Sequence, residues 1–204
     1  MRSLFILALA GSAFAGTAVQ ATNIDFRTLP AYTSVTNQYA GVTFSLSGGA
    51  DGGAPQIAYY TNWGPATGGL SNSTNGGAYP TANRLVATFS QPVSGVKFVF
   101  DNEGYNGGNY FAALDSGNNV IASGALDVYD FYNGQSFDLS TYSGISSIYW
   151  DNGGSTSWTQ SLVTLSFNQG SVPEAATWAM MVLGFGTVGL SMRRRAKVSR
   201  VSFG

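Results

Sequence analysis

The chain has 204 residues, 14% of them aromatic and only 9% charged, with no cysteine and no histidine. Without His or Cys the Ser-His-Asp and Cys-His catalytic arrangements are excluded, and so are the usual zinc sites. The net charge of −1 hides a polarised molecule: residues 22–172 hold three basic and nine acidic residues, net −6, while residues 193–204 hold five basic residues and no acidic one.

The opening stretch MRSLFILALAGSAFAGTAVQA, residues 1–21, has a cation at Arg2, an apolar run over 4–10 and small residues before a cut. That is the pattern of a secretory signal peptide. Val19-Gln20-Ala21 suits cleavage before Thr22, and Ala13-Phe14-Ala15 offers a second site. An exported chain without cysteine has no disulfides to staple it, so the core of the following domain, residues 22–170, must suffice. About 150 residues are enough for a single core.

That domain reads as strands. In GVTFSLSGG, Val42, Phe44 and Leu46 alternate with Thr43, Ser45 and Ser47, the period of a half-buried strand. Similar stretches cover 24–28, 85–90, 96–101, 110–115, 120–127, 136–142, 145–150 and 162–167, separated by turn-formers such as DSGNN (115–119), YNG (132–134) and DNGG (151–154). SGGADGGAP and NWGPATGGLSNSTNGGAYP read as long surface loops. Short strands at this spacing, with no helical period, predict an all-β domain: an antiparallel β-sandwich of jelly-roll type.

Three sets of side chains in the domain are chemically suggestive. Asp101, Asn102 and Glu103 offer the oxygen ligands that calcium takes in flexible loops, and they equally fit a solvated turn. Asp101 and Glu103 would also share a face if the strand continued, as the paired carboxylates of a glycoside hydrolase must. Tyr59, Tyr60 and Trp63 beside one glycine-rich loop, and Trp158 after another, are candidate platforms for a sugar ring, whereas Trp150 ends an apolar run and belongs to the core. NST at Asn72 is a glycosylation sequon by pattern alone. The acidic balance argues against nucleic acid as a partner, because phosphate binding needs clustered Lys and Arg.

The C-terminal segment, 171–204, contains VPEAATWAMMVLGFGTVGLSMRRR. Gly184, Gly186 and Gly189 spell GxGxxG, yet only 15 residues follow and none is acidic, so a dinucleotide-binding βαβ unit has no room. Residues 175–192 are free of charge, and 18 residues at helical rise span roughly 27 Å, close to a bilayer's hydrocarbon core. Arg193, Arg194 and Arg195 close the run as a stop-transfer signal and orient the basic tail, 193–204, toward the cytoplasm with the acidic domain outside.

Pro173-Glu174-Ala175-Ala176-Thr177-Trp178-Ala179, then an apolar span, then an arginine cluster, resembles the PEPxxWA form of the PEP-CTERM sorting signal, with Ala175 in place of the second proline. The resemblance implies an exported Gram-negative protein recognised at Pro173 and Glu174, with Trp178 and Ala179 completing the motif. The recognising enzyme would be an exosortase, a membrane transpeptidase. It further implies association with exopolysaccharide or biofilm matrix. The expectation is a non-catalytic cell-surface or matrix protein, with a carbohydrate-binding module as the alternative and a glycosidase behind it.

Overall fold

The computed structural model describes residues 20–48, 53–58, 68–76, 80–102, 108–126, 134–154, 160–170, 181–185 and 187. The chain divides into two compact units, Val19–Gly170 and a second made of Met1–Ala18 with Ser171–Gly204. The first unit is antiparallel β-structure: β1 (Gln20–Asp25), β2 (Val42–Ser47), β3 (Ile57–Ala58), β4 (Gly69–Ser71), β5 (Arg84–Asn102), β6 (Tyr110–Leu114), β7 (Val120–Ala125), β8 (Gln135–Asp151) and β9 (Gln160–Gln169).

Two pairs of expected strands prove to be single long ones. The stretches over 85–90 and 96–101 are both β5, and those over 136–142 and 145–150 are both β8. Pro92 and Gly95 in β5 and Gly144 in β8 look like strand breakers, but the ladder passes through them with register shifts between Thr88 and Val96. A bulge leaves one residue unpaired and bends the strand, so a proline there forfeits no ladder hydrogen bond. Gly95 and Gly144 supply the positive φ the bend requires.

The bend changes the neighbours of β5. Its first half lies between β2 and β8, in the order β2-β5-β8-β6-β7, while its second half lies between β8 and β9. Along its far edge β9 is covered by β1 over 164–169 and by β4 over 161–162. Rings meet between the two halves: Phe98, on the second half of β5, packs edge-on against Trp150 of β8 (5.4 Å) and Phe111 of β6 (5.1 Å). Phe89 and Phe167 lie 4.9 Å apart at the bend. Leu85, Ala87, Phe98, Phe100, Ile148, Trp150, Leu165 and Phe167 are all buried in one continuous core, as their alternation requires.

Three smaller differences have local causes. The strand expected over 24–28 ends at Asp25, whose carboxylate accepts from the Arg27 amide at 3.0 Å and caps a short 3-10 turn, Phe26–Thr28. β3 and β4 fall where only loop was expected, because Gly69–Ser71 is buried on both sides and shows no alternation. DSGNN is a turn as expected, with the Asp115 carboxylate accepting from the amides of Gly117 (2.8 Å) and Asn119 (2.9 Å).

Candidate functional site

Most of the side chains singled out in the sequence lie outside the described residues: Tyr59, Tyr60, Trp63, Trp158, Glu103, Pro173, Glu174, Trp178, Ala179 and Arg193–Arg195, together with the side chain of Asn102. Asp101 is described and sits at the end of β5 opposite Ser161, only 1% exposed. Among the described residues no group of three His, Cys, Asp or Glu could hold a metal ion. Trp150 is fully buried, as expected. Asn72 is no glycan acceptor in this fold: it is buried, its amide donates to the Ala82 carbonyl at 2.8 Å, and its side-chain oxygen accepts from the Gln160 amide at 3.0 Å.

The helix expected over 175–192 is described at 181–185 and 187, which are helical, with Met181, Val182, Leu183 and Phe185 exposed. Among the described residues no helix is long and apolar enough to cross a membrane.

The site that the fold assembles was not singled out in the sequence. Register places two rows of side chains on the outer face of the β2-β5-β8-β6-β7 sheet. One row is Ser47, Arg84, Asp151, Tyr110 and Ala125, and the next is Ser45, Val86, Tyr149, Ala112 and Ser123. Residues two apart on a strand point the same way, so the four largest polar groups gather on the central strands. Arg84 Nε donates to Asp151 Oδ2 at 2.6 Å, and the guanidinium carbon lies 4.5 Å from the centre of the Tyr149 ring. The Tyr110 and Tyr149 rings meet edge to face at 5.9 Å.

Electrostatics and the turn beyond β8 fix this cluster. Asp151 Oδ1 accepts from the Gly153 amide at 2.8 Å, which leaves Oδ2 turned to the arginine. Gly153 has φ of +61°, and a Cβ there would meet the Gly108 backbone at 3.0 Å, so any side chain at this position would be strained. The hydrogen bond that Arg84 donates to the Asp151 carboxylate raises the Arg84 pKa above its ordinary value, and burial, aided by Tyr110, raises that of Tyr149. Ser45, Ser47, Ser123 and Ala125 on the flanking strands are small and exposed, so the two tyrosines and the arginine stand above their surroundings.

All three cations of residues 22–172 are neutralised by aspartates: Arg27 with Asp25 (2.7 Å), Arg84 with Asp151 (2.6 Å) and Lys97 with Asp138 (2.8 Å). A separate groove with about 240 Å³ of space lies between Leu29–Ala31 and Ile57–Ala58, apolar except for Arg27.

Residues 171–195 carry a PEP-CTERM protein-sorting motif. The match spans Pro173 through Arg195 and so takes in all three parts expected of the signal, Ala175 notwithstanding. No curated protein matches the chain. A low affinity xylan binding module from the gut symbiont Roseburia intestinalis is similar at 13% identity and a TM-score of 0.32, over 74% of this chain and 96% of that one.

Proposed function

We propose that the chain is an exported cell-surface or extracellular-matrix protein, associated with exopolysaccharide or biofilm and non-catalytic, that an exosortase sorts through its C-terminal signal. The observation that carries this reading is the sorting motif over 171–195. In this reading residues 1–21 are a signal peptide, 22–170 form a β-sandwich of jelly-roll type exposed outside the cytoplasm, and 175–192 hold the precursor in the inner membrane until processing. The long bent strands β5 and β8, shared by both halves of the sheet, support the sandwich. Because β1 pairs from Gln20 onward, cleavage after Ala15 would keep that strand whole and cleavage before Thr22 would shorten it.

The motif's parts have separable roles, and that supplies the test. Glu174→Ala leaves the apolar span and its positive flank intact, so export continues while the full-length precursor accumulates in the inner membrane. Mass spectrometry of the mature C-terminus reads the outcome. Wild-type protein that retains its sequence through Gly204 in cells with an active exosortase would overturn the sorting role.

A second reading, a carbohydrate-binding module, is favoured by the cluster of half-buried Tyr110, Tyr149 and Arg84 around the buried Asp151 on the sheet face. Calcium at Asp101, Asn102 and Glu103 is a further proposal. A bound ion stabilises the folded state by mass action, so millimolar calcium should raise the Tm and EDTA should reverse the rise.

A further inference from the structure

The outer face of the β2-β5-β8-β6-β7 sheet is wide, shallow and unevenly furnished. Five strands spaced about 4.8 Å apart make a surface about 19 Å across. Its margins carry serine and alanine, while its centre carries Tyr110, Tyr149, Arg84 and Asp151. Tall central rings between small margins make a raised platform against which an extended chain can lie.

The chemistry of the central groups narrows the occupant. Tyrosine rings offer flat apolar faces and a hydroxyl, and the arginine and aspartate offer planar donors and acceptors fixed by their mutual hydrogen bond. A pyranose presents the complementary set: a face of C–H groups and a rim of hydroxyls that both donate and accept. Tyrosine, which loses little conformational entropy on binding, and arginine, here already held by Asp151, are also among the side chains that most often anchor an interface.

Charge separates one class of polysaccharide from another. The domain is net −6 and each of its three cations already has an aspartate partner. A uronate or sulfated chain would therefore meet a repulsive field and no uncommitted positive charge. We infer that the sheet face around Tyr110 and Tyr149 is a binding site for a neutral polysaccharide. The inference rests on the carbohydrate-binding reading above and gives it a location and a selectivity.

The test uses the full-length protein in detergent micelles, with a neutral mixed-linkage β-glucan, dextran and alginate as probes. Wild-type protein should bind at least one neutral probe. Alginate should bind about tenfold more weakly or worse, with the gap narrowing as salt screens the repulsion. Tyr110→Ala and Tyr149→Ala should each weaken neutral binding about tenfold, the scale of one central aromatic anchor. Ala125→Gln, which raises a side chain beside the Tyr110 ring from an exposed position and removes nothing from the core, should do the same without lowering the Tm. Trp63→Ala should leave binding unchanged.

Failures at different levels are distinguishable. No binding of any probe by wild-type protein would overturn the carbohydrate reading and the site with it. Neutral binding that survives the tyrosine and Ala125 substitutions but is lost in Trp63→Ala would overturn the sheet-face site and move recognition to the loop. Alginate bound as tightly as the neutral probes would overturn the selectivity.

Discussion

Tyr149 and Trp150 are adjacent in the chain and opposite in environment. Trp150 faces inward, fully buried, with Phe98 edge-on at 5.4 Å and Phe100 parallel at 6.2 Å. Tyr149 faces outward, half-buried, with a guanidinium over its ring and Tyr110 at its edge. The inner face is governed by exclusion of water, which accepts any side chains of suitable volume. The outer face is under no such constraint, so a Tyr-Tyr-Arg-Asp cluster amid serine and alanine says more about what the protein meets than the larger aromatic cluster beneath it.

The two faces should differ in what they contribute to stability. Trp150→Ala removes the largest core side chain and should cost about 3–5 kcal/mol in urea-induced unfolding. Tyr149→Ala loses one cation–π contact and part of a ring's burial, and should cost about 1–2 kcal/mol. Equal losses would make the outer cluster structural. Between them lies Asn72→Ala, which strips partners from the Gln160 amide and the Ala82 carbonyl; two buried groups left unpaired should cost about 2–4 kcal/mol.

The outer surface should also carry the pH dependence. Arg27 lowers the pKa of Asp25, Asn119 that of Asp115 and Lys97 that of Asp138. Each carboxylate binds its proton more weakly when folded, so the unfolded chain takes up protons first and stability declines as pH falls below about 4. Burial raises the pKa of Tyr39 and Tyr149. Their contribution is complete below about pH 10 and lost as pH rises through the folded values. With no histidine or cysteine, thermal melts should give a level Tm from about pH 5 to 9.

The smallest effect belongs to Tyr32, which is 60% exposed and holds φ at +64°. Tyr32→Gly relieves a backbone strain of about 1 kcal/mol but adds about as much flexibility to the unfolded chain. Its stability should stay within about 0.5 kcal/mol of wild type by the same unfolding assay. A larger loss would show that this exposed ring, unlike those on the sheet, serves the fold.

Much of the inner face was legible in the sequence, because Val42 and Phe44, or Leu85, Ala87 and Phe89, repeat at the strand period and water excludes them together. The continuity of β5 was not. Pro92 and Gly95 look the same in sequence whether they end a strand or bend it, and only the partners β8 and β9 decide which. The candidate site was hidden for a similar reason. Arg84 and Asp151 are 67 residues apart, and Tyr149 reads as part of an apolar run with Ile148 and Trp150 until the pleat sets it on the other side. A tyrosine out of phase with its buried neighbours was the available signal.

The pairing of β1 with β9 joins the two ends of the domain's sequence through six residue pairs, from Gln20 with Gln169 to Asp25 with Thr164. Such distant contacts form late, since the intervening chain must be gathered first. In a chain that emerges N-terminus first, β1 waits for nearly everything that follows it. β9 ends at Gln169 and the sorting motif opens at residue 171, so the strand that completes the sheet and the signal that addresses the protein arrive within a few residues of each other. The sheet can therefore be sealed along β1 only once the chain has emerged through residue 169, two residues short of the motif.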